Sequence, residues 1–151
     1  MPRLQLITPI AAPIERVFDL ARDIDVHSRT LADTGETAVT DGGSSLLTLG
    51  DTVTFYAVHF GVRQRLIAKI TEFTPPRRFV DLMLEGAFAS LTHTHDFEPA
   101  PSGTLMRDTI DYTAPLGPIG RLADFLFLKS YMTRLIERRN QALKEIAEAN
   151  V

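Results

Sequence analysis

From Arg121 to Ala149 the chain carries neither proline nor glycine, and no other stretch limits the fold as strongly. Within and just before it, Ile119, Leu122, Phe125, Leu128, Met132, Leu135, Ile136, Leu143 and Ile146 recur at helical spacing. A helix of about 30 residues is roughly 45 Å long. Globular helices average about 12 residues. A soluble monomer keeps a rod of that length only by laying a broad sheet along it.

The preceding residues supply that sheet. Arg3 to Thr8 alternates apolar and polar residues, with Leu4, Leu6 and Thr8 on one face and Ile7 and Ile10 on the other. Pro13 opens a short helix carrying Ile14, Val17, Phe18 and Ala21, because proline is preorganised for a first helical turn. Asp23 caps a second helix running to about Leu31, and Asp33 to Val39 reads as an edge strand. Asp41-Gly42-Gly43-Ser44-Ser45 is a turn by composition. Strands follow at Thr52–Phe60, Arg63–Phe73, Arg78–Leu84, Leu91–Phe97 and Thr104–Tyr112, separated by Gly61, Pro75-Pro76, Glu85-Gly86-Ala87 and Pro99–Gly103. Connections of hairpin length make the sheet an antiparallel meander. The expected class is α+β in one domain, residues 1–151: about seven strands, a long C-terminal helix, and two short helices after strand 1.

Composition removes whole classes of function. With no cysteine, disulfides, thiolate metal sites and cysteine nucleophiles are excluded. The formal charge of -3 leaves no electrostatic footprint for nucleic acid. No apolar run reaches the roughly 18 residues of a membrane span, and the N-terminus reads as a strand, not a signal peptide, so the expected location is the cytoplasm. No Gly-x-Ser-x-Gly elbow and no phosphate loop occur.

Five segments together resemble a known family: Ile10-Ala11-Ala12-Pro13-Ile14-Glu15-Arg16-Val17-Phe18, Ile70-Thr71-Glu72-Phe73-Thr74-Pro75-Pro76, His93-Thr94-His95-Asp96-Phe97-Glu98-Pro99, Tyr112-Thr113-Ala114-Pro115-Leu116-Gly117-Pro118-Ile119-Gly120, and Leu135 to Leu143 with Arg139-Asn140. In this order the chain resembles the START-like, Bet v 1-like superfamily (SRPBCC, polyketide cyclase/dehydrase type). The resemblance implies a helix-grip fold: a seven-stranded antiparallel sheet curved around the C-terminal helix, with a cavity between them. It further implies a hydrophobic ligand such as a lipid, polyketide or quinone-like molecule, and in a minority of members cyclisation or dehydration. A fold of this kind says little about chemistry by itself.

Strand alternation nominates the cavity lining. Leu91, His93, His95 and Phe97 share one face, as do Met106, Asp108, Ile110 and Tyr112. Both faces are expected inward, and on the earlier strand the face of Phe55, Ala57 and His59 is favoured. Leu84, Phe88, Leu122, Phe125, Met132 and Arg139 complete the expected ligand-binding set. Four readings compete for the polar members. They form a hydrogen-bonded cluster, or orient a ligand, or act as a His–Asp base with Tyr112 stabilising an enolate, or hold a metal with Asp108 or His59 completing the pair. Catalytic candidates are therefore His93, His95, Asp108 and Tyr112. No metal ligand set and no cofactor is assigned. Arg139 either pairs with a carboxylate or meets a ligand carboxylate.

The leading expectation is a carrier, sensor or presenter of a small hydrophobic molecule. An aromatase/cyclase- or dehydratase-like enzyme using His93, His95 and Asp108 is the alternative, and an interaction module with a filled cavity is a third. The expected partners are the ligand and, at most, a second copy in a homodimer; nucleic acid and a membrane span are not expected.

Overall fold

The computed structural model describes residues 2–40, 42 and 44–149, so part of the expected Asp41–Ser45 turn, Asp41 and Gly43, lies outside the described residues. Seven strands, β1 (Arg3–Ile10), β2 (Thr37–Thr40), β3 (Thr52–His59), β4 (Val62–Thr74), β5 (Arg78–Glu85), β6 (Ser90–Ala100) and β7 (Gly103–Thr113), form one antiparallel sheet in the order β1-β7-β6-β5-β4-β3-β2. Helices α1 (Ile14–Ala21) and α2 (Ile24–Thr30) carry the chain from one sheet edge to the other. Asp23 caps α2 by accepting from the Asp25 and Val26 amides. The expected edge strand at Asp33–Val39 is corrected to a 3-10 turn, Ala32–Thr34, followed by the short β2.

Helical backbone continues from Gly117 to Glu148, as α3 (Gly117–Ala123), a π-helical turn (Asp124–Leu128) and α4 (Lys129–Glu148). It therefore begins before Arg121, because Leu116 takes a left-handed conformation (φ 66°) that starts the first turn at Gly117 and Pro118. The C-terminal end is pinned hard. Arg16 donates to the Ala147 and Ile146 carbonyls at 2.9 and 3.2 Å, satisfying acceptors a helix end leaves free. Glu148 accepts from the Ala11 amide at 2.8 Å, and Lys144 donates to the Pro9 carbonyl at 2.7 Å. The other end stands away from the sheet. Leu116, Ile119, Leu122, Phe125, Leu126 and Phe127 are all at least half exposed.

The enclosed face holds two apolar clusters. The larger gathers Phe18 of α1 against Phe73, Phe79 and Phe97, with ring centroids 5.6, 5.5 and 5.3 Å away. The smaller joins Leu4, Ile110, Tyr112 and Met132, with Phe88, Leu91 and Leu128 against it. Inward positions on β1 are Leu4, Leu6, Thr8 and Ile10, while Ile7 is 56% exposed; Ile10 thus belongs to the buried face, not to that of Ile7. Strand β4 breaks register between Ile70 and Glu72. The irregularity lets both Ile70 and Phe73 face inward although their parity differs.

Gly103 closes the β6–β7 hairpin at φ +149°, where an added Cβ would meet the Ile10 carbonyl and lie 2.8 Å from the Ala12 amide nitrogen. We predict that Gly103→Ala destabilises the fold by about 2–4 kcal/mol, read as a lower urea midpoint with unchanged slope. A change within error would show that this corner has room to relax.

Candidate functional site

A belt of polar side chains separates the two apolar clusters, and three elements build it. Odd-numbered residues of β6 and even-numbered residues of β7 face inward, so His93, His95 and Asp108 are buried. His95 and Asp108 are cross-strand partners, as are Asp81 of β5 and His93. From α4, Arg139 and Asn140 reach down onto Asp108, each only 2% exposed. Asp108 Oδ1 accepts from Arg139 Nη2 at 2.7 Å and faces His93 Nε2 at 2.8 Å; Oδ2 accepts from Asn140 Nδ2 at 2.8 Å. Asn140 Oδ1 in turn accepts from Arg139 Nε and Nη2 at 3.0 and 2.8 Å. His95 Nε2 lies 2.8 Å from Asp81 Oδ2. The rings of Phe79, His95 and His93 form one stack, with centroid spacings of 4.1 and 3.7 Å.

Electrostatics fixes the proton positions. Burial alone would raise the Asp108 pKa, but the Arg139 guanidinium and the His93 hydrogen bond outweigh it and hold the carboxyl well below the usual range. Asp81 is likewise lowered, its burial being overcome by the hydrogen bond and charge of His95. Both are carboxylates, which only accept. His93 Nε2 and His95 Nε2 are therefore the N–H nitrogens. Burial, helped by His93, pushes His95 down to about 4 against the pull of Asp81. His95 is thus neutral near pH 7 and its Nδ1 is a lone pair, buried without a hydrogen-bond partner among the described residues. Tyr112 Oη donates to Asp124 of the π-turn; burial and that bond raise its pKa.

The stack opens on a cavity of about 50 Å³ lined by Ala21, Arg22, Asp23, Ile24 and His27 from the short helices, Leu47, Val53, Phe55, Phe79, Asp81, His93 and His95. His27 places Nδ1 2.7 Å from Glu36 Oε2 and its ring 4.7 Å from that of Phe55. This cavity lies between the short helices and the sheet, and its volume suits a few waters or a ligand's polar tip. Drug-sized ligands take about 300–1,000 Å³. Asp81, His93 and His95 offer donor atoms within 4.8 Å of one another. Yet the two imidazoles are stacked at 22°, so their in-plane lone pairs lie in nearly parallel planes. A tetrahedral site needs ligand lone pairs that converge on one point, which stacked rings disfavour.

Several expected positions change. Phe55 lines the cavity, Met106 lies in the larger cluster, and Phe88, Leu91, Ile110, Tyr112 and Met132 belong to the smaller one. Ala57 is buried on the inner face of β3, and His59 pairs with Tyr131 Oη at 2.7 Å. Leu84 is corrected to the outer face, 54% exposed, because β5 turns Phe79, Asp81 and Met83 inward. Leu122 and Phe125 are corrected to the outside, 59% and 85% exposed. The π-turn is the reason. It widens the spacing, so Gly120, Asp124, Leu128 and Met132 succeed one another toward the sheet and Phe125 is rotated away. Arg139 is spent on Asp108 and Asn140. Sequence reasoning missed Asp81, His27, Glu36, Asp124 and the role of Asn140; adjacency to Arg139 on the inner stripe was the one available hint for Asn140.

A family model described as polyketide cyclase / dehydrase and lipid transport matches residues 1–148. The chain belongs to this family. Solved structures with the same START-like fold include TTHA0849 from Thermus thermophilus, 24% identical with a TM-score of 0.82 and 98% of each chain covered. A START superfamily protein from Mycobacterium smegmatis is 13% identical, TM-score 0.76, with 99% of each chain covered. Major latex-like protein 151 from Panax ginseng is 13% identical, TM-score 0.74, with 97% of each covered. No curated protein matches the sequence. Among the described residues of this polyketide cyclase/dehydrase-family chain, no helix is long and apolar enough to cross a membrane.

The charge arrangement predicts two outcomes. Asp108→Asn leaves the Arg139 cation buried without its counter-charge and is expected to cost about 3–5 kcal/mol in urea unfolding. The pH dependence has a defined sign. His95 is lowered on folding, so between about pH 6.5 and 4 the unfolded chain binds the extra proton and stability drops as the pH drops, by about 3 kcal/mol at most. Below about pH 4 the lowered Asp108 and Asp81 add to the loss. His95→Phe should flatten the first window only; an equally steep profile in that variant would assign the slope to other groups.

Proposed function

We propose that this chain binds a small, mostly apolar molecule and carries or presents it, with the molecule's polar end seated beside His93, His95 and Asp81. The observation that carries the reading is the convergence of polar groups from α2, β5 and β6 on one small cavity whose other walls are Ile24, Leu47, Val53, Phe55 and Phe79. Apolar walls with a few placed polar groups are the usual form of a small-molecule site. Membership of a family whose description includes lipid transport points the same way. The cavity admits the polar tip, and the rest of the ligand requires the partly buried Phe55 and the short helices to yield.

The same imidazoles favour a second reading. Each has a carboxylate behind one nitrogen, the arrangement that orients a general base, so cyclase- or dehydratase-like turnover of a carbonyl compound is the alternative. Carriage returns the bound molecule intact; turnover changes its mass.

Native mass spectrometry of the purified protein, together with titration of an environment-sensitive apolar dye, tests the proposal. The expected result is one small molecule or one dye per chain, with dye affinity lowered about tenfold in Phe55→Ala, equivalent to about 1.4 kcal/mol. Absence of any bound mass, together with dye affinity equal in the two proteins, would defeat it.

A further inference from the structure

We infer that the N-terminal end of the long helix and the tip of the β3–β4 hairpin form one surface that docks on an anionic lipid bilayer. This surface shares no residue with the lining of the cavity beside His93 and His95, so it is independent of the ligand-binding reading.

Large apolar side chains crowd the outside of residues 116–127, and Phe125 is the most exposed of them at 85%. The hairpin tip adds Phe60 and Val62, at 54% and 58%. The two pieces are continuous, because the Phe60 ring lies 5.8 Å from that of Phe127 and 4.3 Å from that of Tyr131. A whole aromatic side chain carries roughly 150–250 Å², so Phe60, Phe125 and Phe127 alone expose about 300–450 Å². Their aliphatic neighbours take the patch beyond the roughly 300–600 Å² that is largest on a typical monomer, a size that marks an interaction site.

Charge chooses the occupant. Residues 113–136 carry Arg121, Lys129 and Arg134 against Asp124 alone, and residues 52–68 carry Arg63 and Arg65 with no acid, in a chain of formal charge -3. The acids around the patch are engaged. Asp124 accepts from Tyr112, and Glu85 pairs with Arg65. Asp33 and Glu36, whose charges act on His59 of the hairpin, face Arg138 and His27. Arg63, Arg121, Lys129 and Arg134 are exposed and meet no carboxylate among the described residues. Arg121, Phe125 and Lys129 follow at steps of four along the helix, so cations flank the most exposed ring. Apolar groups that enter the acyl boundary, with Lys and Arg left to meet lipid phosphates, make an interfacial surface. A second copy fits less well, since a twofold contact sets a patch against itself and brings these cations face to face.

Flotation of the full chain with vesicles makes the test, using phosphatidylcholine alone and phosphatidylcholine mixed with phosphatidylserine, each at low and high salt. The expected result is binding to the anionic vesicles about fivefold or more above the neutral ones, with the difference shrinking as salt screens it. Phe125→Ser should lower binding to the anionic vesicles about tenfold with an unchanged urea midpoint, because that ring has little packing to lose. Arg121→Gln with Lys129→Gln should lower it several-fold. Amide hydrogen exchange of the wild type, with and without anionic vesicles, decides the matter if a variant does not fold: residues 59–62 and 116–128 should gain protection. No flotation, equal flotation on both vesicles at low salt, unchanged binding in Phe125→Ser, or unchanged exchange in those residues overturns the proposal. A wild-type dimer in sedimentation that Phe125→Ser makes monomeric, with neither protein floating, also overturns it and assigns the face to a second copy. None of these results touches the dye comparison with Phe55→Ala, so failure here leaves the ligand-binding reading standing.

Discussion

Among the described residues, a single buried ion pair of arginine and aspartate joins the sheet to the long helix. Asp108 on β7 and Arg139 on α4 meet at 2.7 Å, each almost wholly enclosed. Removing two charges from water is expensive, and the expense is offset only where the remaining hydrogen-bonding capacity is met. Here His93 and Asn140 meet it on the carboxylate, and Asn140 meets part of it on the guanidinium. The helix cannot slide or rotate along the sheet without unmaking these contacts together. The two apolar clusters on either side would tolerate slippage better, because greasy contacts are not directional. The ion pair thus sets register while the clusters supply most of the cohesion.

The same geometry limits what the site can do. Asp108 is fully engaged, so the reactive potential of the belt lies in ring nitrogens that the carboxylates leave bare. Tyr112, which the sequence suggested as an oxyanion partner, gives its proton to Asp124 and ties the helix instead. The near-parallel imidazole planes disfavour a shared metal ion. What remains beside the stack is a small recess with largely apolar walls and a few polar groups from α2, β5 and β6.

Much of the architecture was legible because its signals were redundant. On β6 and β7 one alternating set is apolar or paired and the other is polar, so parity named His93, His95 and Asp108 correctly as inward. Strand β5 defeated the same rule. Its outer set includes Leu82 and Leu84, and its inner set includes Asp81, so hydrophobicity pointed to the wrong face. Only the register between β5 and β6 reveals Asp81 beside the histidines, and register is a property of the assembled sheet. Ile10 was misplaced because a three-residue step from Ile7 changes face. The glycine- and proline-free helix was read correctly as one rod, yet its N-terminal half was assigned the wrong face, since an α-helical period was assumed through a segment that is π-helical.

That π-turn works as a phase shifter. One additional residue in a turn rotates everything N-terminal to it by about 100° relative to an unbroken α-helix. It brings the Asp124 carboxyl to the sheet and swings Phe125 toward water. Two surfaces are thus available from one stretch of sequence, differing only in whether the extra residue is accommodated there. Were the turn to relax to α-helical winding, the greasy side of residues 119–126 would revolve toward the strands and the tyrosine tether would come undone in the same motion.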